Sequence, residues 1–266
     1  GRLLKGISNK PIISTKVALD VSNLKKAEHQ INTSLEESLI RLGLNNVEFV
    51  LLHNPIKEKT LPTSGFGDVG IEEMTKKNGI LDLLEKLKLS GLTRYIGFTA
   101  LGDTHCCHKL ISTGRVDAAQ IYFNMINPSA AFEKTNNTVG QDFSGLIAAC
   151  KKHGTGIMGI RVYAAGILAS NVRHGREILV TENTTISNEE QQARKIFESI
   201  SHGSANSPDI GTCAQVAIRF NLSNPDIDST VVGLAEIRHL KDAIHATKLG
   251  PLPRETVNKI NEMREK

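Results

Sequence analysis

Short apolar runs bounded by turn residues recur along this chain, and each is followed by a stretch with helical spacing. The runs cover residues 11–16, 47–53, 94–99, 116–124, 156–162 and 229–233. Parallel neighbours need a long crossover between them, usually a helix, so this alternation points to a parallel sheet clothed in helices. Continuously apolar runs fit strands covered on both faces. Helices are expected over about 22–42, 79–90, 103–113, 141–153, 189–202 and 211–222, with a final helical pair. In the first, Ala27, Ile31, Leu35, Leu39 and Leu42 recur at the spacing of one buried face, with Ser22 as its cap and Gly43 as its stop. In the second, Ile80, Leu83, Leu84 and Leu87 should point inward. Residues 54–78 carry Pro55, Pro62, Gly65, Gly67 and Gly70, and read as a long loop over a strand end, the usual seat of a substrate lid.

The opening Gly-Arg-Leu-Leu-Lys-Gly reads as the close of a helix already under way, stopped at Gly6. Six strand–helix units are visible, where a closed barrel of roughly 250 residues takes eight. The expected fold is therefore α/β, one domain over residues 1–266: a (β/α)8 TIM barrel that is incomplete, lacking its first two strands and first helix. Such a piece leaves the edges of the 11–16 and 229–233 strands open, which invites aggregation.

Composition removes several functional classes. The net charge of +4 is scattered among acids, with no basic stripe, so nucleic acid is not an expected partner. No apolar stretch approaches the ~18 residues that cross a bilayer, so no membrane association is expected. Cys106, Cys107, Cys150 and Cys213 do not form a secreted framework in a chain this long, and reduced thiols in a cytoplasmic setting are the simplest reading. The tetrad His105-Cys106-Cys107-His108 invites a metal, yet consecutive ligands do not wrap a tetrahedral ion as spaced pairs do. A helix over 103–113 points these four side chains in different directions, and no metal is expected.

Two runs end in a chemically capable side chain: Lys16 closes Pro-Ile-Ile-Ser-Thr-Lys, and His53 closes Val-Glu-Phe-Val-Leu-Leu-His. Open parallel sheets and barrels both hold their chemistry at the carboxyl ends of the strands, so the two groups should converge on one cleft. Read singly, a strand-end lysine is commonly a solvated charge and a strand-end histidine a satisfied polar residue.

Taken in order, Ser14-Thr15-Lys16, Leu51-Leu52-His53, Ile96-Gly97-Phe98-Thr99, Gln120 with Asn124, Ala164-Ala165-Gly166 and Val231-Val232-Gly233 resemble the aldo-keto reductase superfamily. The likeness is to its aldose dehydrogenase branch, of the L-galactose dehydrogenase type, from the second helix of that fold to its carboxyl end. The resemblance implies a proton-transfer site of aspartate, tyrosine, lysine and histidine beside a nicotinamide. The tyrosine is the acid or base, the lysine lowers its pKa, the aspartate pairs with the lysine and the histidine orients the substrate oxygen. Lys16 and His53 match the lysine and histidine; the aspartate and tyrosine are expected before Gly1. Tyr95, Tyr122 and Tyr163 do not match the tyrosine position.

Cofactor contacts follow from the same resemblance. Thr99 and Gln120 match the partners of the nicotinamide carboxamide, although Ala100 stands where an asparagine is usual. Arg161 takes the place of a side chain packed on the nicotinamide face, and Val162 to Gly166, with Ala164 between them, would wrap the pyrophosphate. After the last strand, Gly233, Glu236, Arg238, His239 and Asp242 are the adenosine-side candidates. NADP-specific relatives hold a cationic set there; Glu236 suits ribose hydroxyls and repels a phosphate dianion, so the cofactor is NAD or NADP with a lean to NAD. Ala243 replaces an asparagine usual near the adenine.

The resulting expectation is an NAD(P)-dependent oxidoreductase acting on an aldose or a small aldehyde or ketone. Two alternatives stand beside it: a Schiff-base lyase acting through Lys16, and a cofactor-binding barrel that serves as a regulatory or assembly subunit without catalysis.

Overall fold

The computed structural model describes residues 1–63, 65–134, 139–170, 175, 178, 179, 181–201 and 210–265. The chain divides into two compact units, Gly1–Gln120 with Ala149–Gly156, and Ile121–Ala148 with Ile157–Lys266.

The first unit is built on parallel strands β1 (Ser14–Val17), β2 (Val47–Leu52), β5 (Thr93–Thr99) and the start of β6 (Ala118–Tyr122), neighbours in that order. Their register sets Lys16 beside Leu51, Leu51 beside Gly97 and Gly97 beside Ala118. A Cβ on Gly97 would lie 2.0 Å from the Ala118 carbonyl and 2.7 Å from a Leu51 methyl, so only glycine lets these strands lie so close. Among the described residues, β1 pairs with β2 alone, which makes it an edge. Helix α1 (Ala27–Leu42) packs on β1, and α3 (Ile80–Leu89) packs on β5 and on α1, with Ile31, Leu35, Leu84 and Leu87 buried.

Several boundaries differ from the sequence expectation. Ser22 does not cap α1; Asp20 caps a 3-10 turn over Val21–Lys26, and both the N–H and the hydroxyl of Ser22 donate to it. Asn23, at φ −139° and ψ 55°, breaks the helical path, so the α-helix proper starts only at Ala27. Gly43 does stop it, at φ 66°. Gly6 ends a 3-10 turn over Leu4–Gly6 without adopting the left-handed conformation expected of a stop. In α3 the buried face takes Leu81 rather than Leu83.

Residues 54–78 are not a structureless loop. They contain the parallel pair β3 (Ile56–Lys57) and β4 (Val69–Gly70) and the short helix α2 (Ile71–Thr75), with Ile56, Val69 and Met74 fully buried. The organiser is Asn54, itself buried: its Oδ1 accepts from the Leu19 N–H at 2.8 Å, and its Nδ2 donates to Leu19 O at 2.9 Å and Gly67 O at 3.0 Å. Helix α4 (Thr104–Ser112) follows β5, and α5 (Leu146–His153) leads into β7 (Gly156–Ile160).

In the second unit β7 pairs in parallel with β8, which spans only Ser229–Thr230 rather than the expected 229–233. The Asp228 carboxylate accepts from the Ile157 N–H at 2.7 Å and holds the two in register. Beyond β8, Val231 N–H still donates to Gly159 O. Helix α7 (Cys213–Leu222) opens with a reciprocal cap between Thr212 and Gln215 and packs on α8 (Ile237–Leu249), while α6 (Ile186–Ser201) packs on α9 (Arg254–Glu265). Phe123 and Phe220 stack with ring centroids 5.4 Å apart in this core. Among the described residues no helix is long and apolar enough to cross a membrane.

Candidate active site

Strand geometry decides what the first unit presents. Side chains alternate between faces of a sheet, so residues two apart share one. Lys16 is level with Leu51 and Gly97; His53 and Thr99 follow two positions on, and Thr99 is level with Gln120. Lys16, His53, Thr99 and Gln120 therefore share one face at the carboxyl ends of four parallel strands. The structure thus places these four candidate residues of the first unit on one sheet face.

The electrostatics of the pair are coupled. Lys16 is half-buried, and desolvation pushes its pKa below the ordinary lysine value. Among the described residues no carboxylate pairs with it. Desolvation first, and the Lys16 ammonium second, hold His53 below the ordinary histidine value. Thus a half-buried cation and a neutral imidazole stand side by side, a pair suited to hold a phenolate or a substrate oxygen. The Thr99 hydroxyl donates to Gln120 Oε1 at 3.4 Å, with both side chains buried.

Two participants escape a sequence reading. Phe66 lies with its ring centroid 6.3 Å from that of His53, and remains exposed. Its carbonyl accepts from Asn54 Nδ2 at 3.3 Å, so the same asparagine that closes the turn after β1 also holds the aromatic beside His53. Only the asparagine directly after the strand-end histidine hinted at this.

The second unit carries the other candidates. Directly after β7 the backbone turns through Arg161 (φ 60°), Ala164 (φ 44°), Ala165 (φ 58°) and Gly166 (φ 107°). Three non-glycine residues in the left-handed region within one turn is the kind of strain that collects at ligand sites. Asn124 Nδ2 donates to Arg161 O at 2.9 Å and ties β6 to this turn. The guanidinium of Arg161 donates to Ile178 O, while its Nε is buried and without a hydrogen-bond partner among the described residues. Glu189 on α6, absent from the sequence reading, is buried; desolvation raises its carboxyl pKa and Arg161 opposes the rise. A turn with an orphaned buried donor and forced backbone fits a bound polar group such as a pyrophosphate.

At the start of α8, Glu236 and Arg238 pair with each other, Arg238 Nε lying 2.8 Å from the carboxylate, and Ala235 N–H donates to the His239 ring. Asp242 accepts from Gln215 Nε2 at 3.3 Å, and its charge reaches the Tyr163 phenol. Gly233 follows β8 with open space where a Cβ would stand.

Neither Tyr122 nor Tyr163 is tuned as a proton donor near neutrality. Burial pushes Tyr122 up to about 12 and Tyr163 up to about 12. Tyr95 stacks on Phe49 at 4.9 Å between centroids. Two crevices among the described residues lie elsewhere: one of about 280 Å³ between α1 and α3, and one of about 240 Å³ lined by Phe123, Phe132, Phe220 and Val257. Neither is lined by the candidate residues.

The family model of the aldo/keto reductase family matches residues 1–265. The chain belongs to the aldo/keto reductase family. Among solved structures it is similar to the aldo-keto reductase AKR11C1 from Bacillus halodurans in its holo form, at 16% identity and a TM-score of 0.69, and in its apo form, at 15% and 0.67. In both, 99% of this chain and 75% of the other are covered. At that identity the likeness shows the fold, parallel strands alternating with helices as in aldo-keto reductases. No curated protein matches the sequence at a significant level. Membership of this family supports an oxidoreductase that uses a nicotinamide cofactor.

Proposed function

We propose that this aldo-keto reductase interconverts an aldose, or a small aldehyde or ketone, with its oxidised or reduced form, using NAD in preference to NADP. The observation that carries the reading is the shared face of Lys16, His53, Thr99 and Gln120 at the strand ends. Thr99 and Gln120 would hold the nicotinamide carboxamide, which suits a hydroxyl and an amide buried side by side. Arg161, Val162, Ala164 and Gly166 would hold the pyrophosphate, and Gly233, Glu236, Arg238, His239 and Asp242 the adenosine end. When bound, the nicotinamide supplies or accepts the hydride.

The chain's own residues then manage the proton. The Lys16 ammonium stabilises a phenolate and so acidifies a tyrosine donor, which is none of Tyr95, Tyr122 or Tyr163. His53, kept neutral by its surroundings, donates a hydrogen bond to the substrate oxygen. Phe66 would give one wall of the substrate site.

One observation speaks for a second reading: a desolvated lysine with a lowered pKa is also the form that attacks a carbonyl. A single experiment separates the two. The intact protein is incubated with an aldose and with small aldehydes, with NADH, with NADPH, and with borohydride alone. Cofactor-dependent absorbance change supports the oxidoreductase, whereas a borohydride-trapped adduct on Lys16 without cofactor turnover would replace it with the lyase.

A further inference from the structure

The geometry points to a divalent-cation site of the zinc type formed by Glu58, His105 and Cys106, apart from the residues proposed for hydride and proton transfer. One carboxylate oxygen, one imidazole nitrogen and one sulfur from these three lie within 4.8 Å of one another. His105 Nε2 is 2.8 Å from Glu58 Oε2, Cys106 Sγ is 3.4 Å from the same oxygen, and Sγ and Nε2 are 3.3 Å apart. Zinc bonds of about 2.3 Å to sulfur and 2.0–2.1 Å to nitrogen or oxygen hold tetrahedral donors roughly 3.3–3.6 Å apart. Two of the three separations already have that size, and the third opens by about half an ångström once an ion replaces the direct hydrogen bond.

Consecutive residues of a helix do not by themselves make a site, and Cys107 illustrates why: it is buried, with its Sγ turned to Leu101 O. The ligand that sequence spacing does not supply is Glu58, brought to α4 by the β3 segment. The Glu58 N–H donates to Asp103 Oδ2 at 2.9 Å, the Asp103 N–H donates to Ile56 O at 2.8 Å, and the Ile56 N–H donates to Leu101 O at 2.8 Å. Gly102 permits this approach, since a Cβ there would lie 2.2 Å from Ile56 O. The carboxylate is thus fixed beside the first turn of α4 by backbone geometry.

A nucleophilic Cys–His–Glu relay is the competing use of these groups, and the geometry disfavours it. Such a relay needs the imidazole to bridge through its two different nitrogens, whereas here sulfur and carboxylate both meet Nε2. The thiol is also buried and pushed up to about 12, chiefly by desolvation and next by its hydrogen bond to Glu58, so it is no thiolate nucleophile near neutrality. A cation changes that balance: it takes the place of the thiol proton, which is released to solvent, and binds sulfur as thiolate. Glu58, held at about 2 by His105, Lys109 and Cys106, is ionised throughout. A mixed sulfur, nitrogen and carboxylate set suits zinc rather than magnesium or calcium. His105 and Glu58 are 60% and 55% exposed, which leaves the fourth position to water. Lys109, with Nζ 3.2 Å from Glu58 Oε2, supplies the positive charge that a metal would displace.

Cobalt(II) titration of the full chain, followed by zinc competition, tests the site. The expected result is one equivalent bound, with a thiolate-to-cobalt band in the near ultraviolet, one proton released per ion, and displacement by zinc. His105→Ala and Glu58→Gln, both at exposed positions that leave the core intact, should each weaken binding at least about tenfold. Cys106→Ser should remove the band, and Lys109→Met should tighten binding by relieving competition for the carboxylate. No binding at millimolar cobalt, or a band that survives unchanged in His105→Ala and Glu58→Gln, would overturn the assignment. These readouts are independent of any turnover, so they stand or fall apart from the proposed reductase activity.

Discussion

Lys16 and His53 occupy the same face of adjacent parallel strands: Lys16 pairs with Leu51 in register, and the N–H of His53 donates to Val17 O at 2.9 Å. One side chain therefore acts on the other. The ammonium adds to desolvation in holding the imidazole neutral. The arrangement carries a cost of its own, because burial disfavours the charged form of Lys16 and lowers its pKa. A group with a depressed folded pKa contributes full stability only above its ordinary value, 10.5 here, and loses it as pH falls through the folded value. At pH 7, well below the ordinary lysine value, Lys16 is thus a destabilising element. Lys16→Met should lower kcat by about 10²-fold or more, the scale of an acid–base component, while cofactor affinity changes little. The same variant should melt higher, by on the order of 2 °C. Steady-state kinetics, cofactor fluorescence and calorimetry on one preparation check all three.

The histidine has its own pH signature. With a folded pKa below the ordinary 6.5, His53 contributes stability that is complete above 6.5 and is lost as pH falls through the lowered value. Part of the decline in Tm on acidification below 6.5 should vanish in His53→Gln. In Lys16→Met the His53 pKa should rise, because the cationic neighbour is gone while part of the burial remains. Proton NMR titration of the imidazole reads that shift directly, and an unchanged value would separate the two groups electrostatically.

Asn54 gives the sharpest stability prediction. It is fully buried, and its amide closes the turns on both sides of the β2 terminus through Leu19 and Gly67. Asn54→Ala leaves a buried backbone N–H and several carbonyls without their partner, at about 1–3 kcal/mol for each unsatisfied group. A loss of roughly 2–4 kcal/mol in urea unfolding is expected. Because Asn54 also fixes Phe66 beside His53, KM for the carbonyl substrate should rise more than KM for the cofactor. Asn54→Asp, which turns that donor into a buried acceptor facing the Leu19, Phe66 and Gly67 carbonyls, should destabilise at least as much as Asn54→Ala.

The strand–helix alternation was legible because its physical signature is local: continuous apolar runs, then residues spaced three and four apart. Lys16 and His53 were legible for the same reason, since each closes such a run, whereas Thr99 and Gln120 stood out only through the family resemblance. What escaped rests on contacts distant in sequence. Asn54 acts through Leu19, and Glu58 meets α4 through a chain of hydrogen bonds to Asp103 and Leu101; neither leaves a period in the sequence. The same holds for the 54–78 segment, where proline and glycine suggested irregular chain but β3 and β4 pair once Asn54 has brought them together. Ser22 failed as a cap because Asp20, two residues earlier, takes both of its donors.

Cofactor preference turns on the ion pair at the head of α8. Glu236 and Arg238 are both exposed and bonded to each other at 2.8 Å, so each limits what the other can offer a ligand. With the pair intact, a ribose diol can donate to the carboxylate, while a 2′-phosphate meets a negative charge at the point where it would need a positive one. Glu236→Gln removes that repulsion and frees the Arg238 guanidinium at the same time. The variant should therefore gain affinity for NADPH by about tenfold, equal to roughly 1.4 kcal/mol, with a smaller loss for NADH. Arg238→Gln should act the other way, weakening NADPH further and leaving NADH nearly unchanged. Salt provides an internal control, since an exposed charge effect shrinks as ionic strength rises. Parallel fluorescence titrations of both cofactors at low and high salt give the four numbers required. Equal NADH to NADPH ratios in the parent and in Glu236→Gln would mean that the adenosine end is held by other residues.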